Sequence, residues 1–190
     1  MLTKLSNSFL KFSTGPLTLA YLVTFLVFSA LVLPDQAAKA EVYSGDVGSP
    51  DTSLYYTASD LYRKAEAYGP AGRSAYIRAR FSFDLLFPLV YTAFLVTAIS
   101  WLVKRANLAW KSWGRLNLLP VAGMAFDFLE NVAAAIVMAR YPQSTAVIDH
   151  LAGGFTLIKW NFISASFIAL VILAILTLVR WIQTWQKLAD

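Results

Sequence analysis

Four long apolar runs limit what this chain of 190 residues can fold into. They cover residues 17–33, 83–103, 116–139 and 155–179. Each is near or above the roughly 18–20 residues that a helix needs to cross the hydrocarbon core of a bilayer. Charged residues make up only 14% of the chain, against about a quarter in soluble domains. The sequence therefore predicts an all-α membrane protein, a four-transmembrane-helix bundle that forms one integral membrane domain over residues 1–190.

The 16 Lys and Arg outnumber the 11 acids, and their positions indicate the topology. Half of these bases fall in three segments: before the first run, between the second and third runs, and after the fourth run. The sequence of these three segments contains one acid, Asp190. These bases are Lys4, Lys11, Lys104, Arg105, Lys111, Arg115, Arg180 and Lys187. Lys and Arg concentrate in short cytoplasmic loops, so both termini are predicted to be cytoplasmic. The positive charge is thus explained by topology and attraction to an anionic lipid bilayer, and no nucleic-acid partner is expected.

The first run also has features of a secretory signal. Lys4 and Lys11 precede it, and Ala38-Lys39-Ala40 after it has the small-residue pattern of a cleavage site. Because the run exceeds the usual 7–15 residues of a signal's apolar region, we expect the first helix to be retained.

Residues 34–82 between the first two runs predict a short helical cap on the extracytoplasmic face. An irregular loop is expected from Asp35 to Asp51. Thr57–Asp60 fits a capping box that begins an amphipathic helix, and Gly69-Pro70 is expected to end it. Helix should restart near Ala71 and run straight into the second span. The cap would cover either the helix ends or a ligand entrance.

The loop between the third and fourth runs holds the single histidine, His150. A short helix over residues 144–152, closed by Gly153-Gly154, is predicted there. The histidine is interpreted as solvated, with an acid/base or metal role as the alternative.

The third run carries polar residues near its middle, in the stretch MAFDFLENVAAAI. Asp127, Glu130 and Asn131 are spaced i, i+3, i+4 and therefore share one helical face. Because an Asp at the bilayer centre costs about 2.5–3.5 kcal/mol or more, this face should point into the bundle. Lys159, near the start of the fourth run, is the expected counter-charge. An outward-opening polar pocket is predicted, with Arg78, Arg80 and Arg140 around its mouth. The residues expected to form the pocket are Asp84, Asp127, Glu130, Asn131, Lys159 and Asn161.

Two carboxylates one turn apart do not both ionise cheaply at low dielectric. One of them should hold a proton unless a cation binds or Lys159 pairs with it, and Asn131 would act as the neutral orienting group. Four roles stay open for this site. They are a structural network that fixes helix register, a binding site for a lipid head group, amine or quinone-like molecule, acid/base catalysis on a lipid or isoprenoid, and proton or cation passage.

No metal site is predicted, and the sequence leaves the question of a cofactor open. The chain has no Cys, which excludes disulfides, thiolate nucleophiles and Cys-ligated metals. Di-iron helical bundles use Glu-x-x-His pairs, and no His falls within the apolar runs. At the level of the whole protein, a lipid- or small-molecule-binding membrane protein is the leading hypothesis. The alternatives are an accessory subunit of a larger membrane complex, a homo-oligomer, or an acid/base enzyme.

Several short stretches resemble an uncharacterised family of bacterial four-span membrane proteins with a D-F/Y-L-E-N motif in the third helix. The stretches, which span residues 55–175, are Tyr56-Thr57-Ala58, Tyr68-Gly69, Asp84-Leu85-Leu86-Phe87-Pro88, Phe126-Asp127-Phe128-Leu129-Glu130-Asn131, Tyr141-Pro142 and Lys159-Trp160. The resemblance implies a multi-pass protein of the bacterial inner membrane and points to the same polar residues, but it implies no activity.

Overall fold

The computed structural model describes residues 1–50 and 53–189, with the side chains of 110 and 187–189 left out. Within these ranges the regular structure is helical and no strand occurs. The helices are α1 (Leu2–Phe12), α2 (Gly15–Val27), α3 (Leu33–Ser44), α4 (Ala58–Arg80), α5 (Phe83–Arg105), α6 (Trp110–Trp113), α7 (Leu119–Arg140) and α8 (Ile148–Ala189). In the part of the chain that the structure describes, four helical stretches are long and apolar enough to cross a membrane: Gly15–Val47, Ala58–Arg105, Lys111–Arg140 and Ile148–Gln186. The prediction of an all-α four-helix bundle is confirmed.

The first span is longer than predicted. A wider helical turn at Phe28–Val32 joins α2 to α3, so the helix continues to Ser44. The prediction of an irregular loop from Asp35 is wrong for this part. Pro34 directly follows the wider turn, where the i→i−4 hydrogen-bond pattern is already interrupted, so the N–H that proline lacks costs less there. The helix stops where Gly45 adopts a φ of 49°, and the predicted end of the loop, Asp51, lies outside the described residues.

The cap helix α4 begins and bends where the sequence predicts. Thr57 Oγ1 accepts a hydrogen bond from the Asp60 backbone N–H at 3.1 Å, and Asp60 Oδ2 accepts one from the Thr57 N–H at 3.0 Å, which completes the capping box. Gly69, with a φ of 63°, kinks the helix before Pro70. The restarted helix then ends at Arg80, so the expected unbroken run into the second span is wrong.

The cap packs on α7 through an apolar core. Leu61, Ala65 and Tyr76 of α4 are fully buried, together with Ala134 and Val137 of α7. The contacts of these buried side chains hold the cap over one end of the bundle. We call this end of the bundle the cap side.

Replacing Thr57 with Ala should lower the free energy of unfolding by about 1 kcal/mol, because the first turn of α4 loses its side-chain acceptor. Ser74→Ala is the control, since this exposed hydroxyl donates to the Pro70 carbonyl within its own helix. Thermal unfolding in detergent micelles measures both. An equal loss in the two variants would contradict the capping role.

The last helix does not begin as predicted. α8 starts at Ile148 and runs through Gly153 and Gly154, so these glycines do not close a separate short helix. A Cβ on Gly153 would lie 1.9 Å from the Tyr56 backbone carbonyl oxygen. Gly153 is therefore required by the close approach of the 53–57 segment to α8 rather than by a helix end.

The end opposite the cap, which we call the base, is formed by three segments. α1 packs against the turn at Gly114–Leu118, where Asn117 Nδ2 donates to the Ser6 carbonyl at 3.1 Å. The Arg180 guanidinium, on the C-terminal part of α8, donates to the Asn107 carbonyl at 3.0 Å. The three base-rich segments thus meet at one end of the bundle, whereas the side of the membrane on which they lie stays a prediction.

Candidate functional site

The polar face of α7 is turned into the protein. Glu130 and Asn131 are only 1% and 2% exposed, whereas Leu129 and Val132 on the other sides are 45% exposed. The Asp127 side chain keeps 14% of its surface exposed. These positions follow from the i, i+3, i+4 spacing, which places the three polar side chains on one stripe of the helix.

Glu130 is held by groups from two other parts of the chain. Lys159 Nζ of α8 lies 2.5 Å from Glu130 Oε2, and the Tyr56 hydroxyl donates to Glu130 Oε1 at 3.3 Å. Lys159 is itself 5% exposed. Opposite charges attract each other more strongly in the protein interior than in water, because the interior has a lower dielectric constant. This pair therefore ties α7 to both α8 and the segment before α4.

A second ion pair closes the turn between α4 and α5. Arg80 Nη2 lies 2.8 Å from Asp84 Oδ2. Arg80 Nη1 also donates to Asn131 Oδ1 at 3.4 Å, and Asn131 Nδ2 donates to the backbone carbonyl of Asp84 at 3.2 Å. The guanidinium lies 4.5 Å from the ring centre of Tyr76. Asn131 thus uses both ends of its amide to join α7 to the turn.

Asp127 connects the two ion pairs. Its Oδ2 accepts a hydrogen bond from the Tyr91 hydroxyl of α5 at 3.2 Å. Its Oδ1 lies 3.5 Å from Asn131 Nδ2 and 3.9 Å from Lys159 Nζ. The resulting polar network consists of Tyr56, Arg80, Asp84, Tyr91, Asp127, Glu130, Asn131 and Lys159.

The structure brings together five of the six residues that the sequence assigned to a site. Asn161 is not among them: it is exposed, and its Nδ2 donates to the Leu157 carbonyl at 2.8 Å. It follows Lys159 by two positions, and two positions correspond to a rotation of about 200° around a helix. When Lys159 points inward, Asn161 must therefore point away.

Three network members were not assigned to the site from sequence. Arg80 was placed at the mouth, whereas it is 5% exposed and bonds directly to the site. Its i, i+4 spacing to Asp84 was a usable signal. Tyr91 was a candidate partner of the acids, because its hydroxyl lies deep in the second apolar run. Tyr56 gave no comparable signal, because a tyrosine in apolar surroundings is usually a packing residue. His150, whose side chain is exposed on the first turn of α8, does not join the network.

The network contains more acid than base. Asp84, Asp127 and Glu130 are its carboxyl groups, and Arg80 and Lys159 are its cations. Carboxyl groups this close to one another can share or exchange a proton, and their oxygens can also accept hydrogen bonds from a cationic group.

Comparisons with known proteins assign no family. No family model matches the chain, and no curated protein or solved structure matches it. The resemblance to bacterial four-span proteins therefore stays a prediction.

Proposed function

We propose that this protein is an integral membrane protein that binds a lipid or another small amphipathic molecule, with the head group of the ligand at Asp127. The observation that carries the proposal is the position of this carboxylate. Its oxygen lies 3.9 Å from the Lys159 ammonium, which lies closer to Glu130, at 2.5 Å. Asp127 also retains 14% side-chain exposure, whereas Glu130 retains 1%. Asp127 is thus the acid of α7 that a ligand can reach.

The carboxylate oxygens of Asp127 favour a cationic or hydrogen-bond-donating head group, such as an amine. An incoming cation would bind these oxygens directly. Tyr91 and Asn131 would orient Asp127, and Lys159 with Glu130 would hold the neighbouring part of the site in place. Apolar side chains elsewhere on the spans would contact the rest of an amphipathic ligand.

We also propose that the cap side faces outward from the bacterial inner membrane, with both termini in the cytoplasm. The base-rich segments that meet at the base support this orientation through the positive-inside rule. The ligand would then enter from the cap side or from the outer leaflet.

Asp127→Asn should remove the ligand without unfolding the protein. The amide keeps an oxygen that can accept from Tyr91, but it lacks the negative charge that the head group requires. Native mass spectrometry of the full chain, purified gently from its own membrane, should show a reproducible small-molecule mass. In Asp127→Asn the affinity for this molecule should fall at least about tenfold, which corresponds to about 1.4 kcal/mol. Asp35→Asn, which changes an exposed carboxylate paired with Lys39, is the matched control.

Two results would overturn this proposal. One is the same small-molecule occupancy in Asp127→Asn as in the original chain. The other is a stoichiometric second polypeptide and no small molecule, which would assign the network to a subunit contact.

A further inference from the structure

The base contains a second site with different chemistry, in a cavity of about 970 Å³. The cavity lies between the loop that follows α5 and the C-terminal part of α8. Arg105, Asn107, Arg180, Trp101, Trp181 and Trp185 are among its lining residues. It shares no residue with the polar network, so a ligand at one of the two places does not require a ligand at the other.

The guanidinium group of Arg180 is held in place at the cavity by backbone carbonyls. Arg180 donates hydrogen bonds from Nη1 to the backbone carbonyls of Ala106 and Asn107, the latter at 3.0 Å. These two bonds use one of the guanidinium nitrogens, and the side chain remains exposed. A guanidinium has five N–H donors in a planar fork, which suits the oxygens of a phosphate. Arg180 is therefore positioned in advance to bind an anion.

The neighbouring charges are of the same sign. Arg105 lines the same cavity. An adjoining cavity of about 440 Å³, which also reaches Asn107, is lined by Lys11 and Lys104. No acid lines either cavity among the residues that the structure describes. Each such base adds attraction for an anionic membrane surface.

The walls of the cavity combine cationic side chains with aromatic and apolar ones. The rings of Trp181 and Trp185 lie 5.7 Å apart at 61° and are exposed. Tryptophan favours the boundary between head groups and hydrocarbon. Leu178 lines the cavity, and Ile175, one turn earlier on α8, presents an exposed apolar surface that acyl chains can cover.

We propose that this cavity binds the phosphate head group of an anionic phospholipid. Arg180 and Arg105 would bind the phosphate oxygens, and the apolar face of α8 would contact the acyl chains of the lipid. The test uses the full chain in a non-ionic detergent with equal amounts of phosphatidylglycerol and phosphatidylcholine. Native mass spectrometry then gives the ratio of the two bound lipids.

Phosphatidylglycerol should be preferred by the original chain. Arg180→Gln and Arg105→Gln should each reduce the preference about fivefold, the amount expected for the loss of one base near the membrane surface. Arg63→Gln is the matched control, because Arg63 is a highly exposed cap residue paired with Asp60. Circular dichroism checks that each variant is folded, and Arg105→Gln, at the exposed rim, tests the site if Arg180→Gln does not fold.

A lipid ratio that neither substitution lowers would overturn the proposal. So would loss of the preference on adding excess inorganic phosphate at constant ionic strength, because the site would then bind phosphate from solution. An equal loss in Arg63→Gln would also overturn it, since the preference would then reflect total charge.

Discussion

Lys159→Met is expected to lower the free energy of unfolding by about 3–5 kcal/mol, the cost of breaking a buried ion pair at one partner. Methionine preserves most of the volume but removes the ammonium that lies 2.5 Å from Glu130. With 1% of its surface exposed, Glu130 cannot recover the lost interaction from water. Denaturation in mixed micelles, followed by circular dichroism, gives the size of the loss.

A second substitution separates the charge effect from a packing effect. Lys159→Met combined with Glu130→Leu should recover most of the lost stability, because Glu130, the more deeply buried acid beside Lys159, is then no longer a charge without its counter-ion. Lys39→Met, at an exposed pair with Asp35, should change stability by less than about 1 kcal/mol. If the double variant were less stable than Lys159→Met alone, the unpaired Glu130 carboxylate would not be the cause of the lost stability in Lys159→Met.

Gly153→Ala is expected to cost about 3 kcal/mol, at the upper end of the range for overpacking. The added Cβ would lie 1.9 Å from the Tyr56 carbonyl oxygen, and backbone cannot move aside as a flexible side chain can. The segment before α4 would have to separate from α8. Tyr56 would then lose its 3.3 Å hydrogen bond to Glu130.

The adjacent glycine supplies the control within the same helix. A Cβ on Gly154 meets no atom within 4 Å among the described residues. Gly154→Ala should therefore stabilise α8 by about 0.5–1 kcal/mol through helix propensity. Thermal unfolding of both variants measures the difference, and a similar loss in both would show that the clash with Tyr56 does not decide the result.

The two proposed ligand sites respond to different variants. Asp127→Asn should remove the small molecule at the network and leave the lipid preference at the base unchanged. Arg180→Gln should have the opposite effect. The sites lie at different parts of the bundle, so failure of one proposal leaves the other intact.

The local features that the sequence predicted correctly are those that depend on interactions between residues a few positions apart. Thr57 and Asp60 form the capping box because three positions bring the hydroxyl and the carboxylate to each other's backbone N–H. Gly69 breaks α4 because a positive φ is accessible to glycine at little steric cost. The inward stripe of α7 follows from helical spacing.

The signals that failed were those with two physical meanings. The Gly, Ser, Asp and Pro residues within 35–51 suggested a loop, whereas the residues up to Ser44 are helical and include Ala, Gln, Lys and Glu, which favour helix. Gly153-Gly154 suggested a helix end, whereas Gly153 allows two backbones to approach. Local sequence does not contain the partner backbone that distinguishes these cases.

The sequence by itself determined the class of the protein, its four apolar spans and the polar face of α7, because length, hydropathy and helical period are properties of one segment. Only the tertiary structure decided which side chains complete the network. Arg80 and Tyr56 reach Asn131 and Glu130 across 51 and 74 positions of the chain. Asn161 points away because the rotation of α8 is set by packing against α7. Contacts between distant segments depend on how whole helices pack, and the pattern within any single helix does not specify that packing.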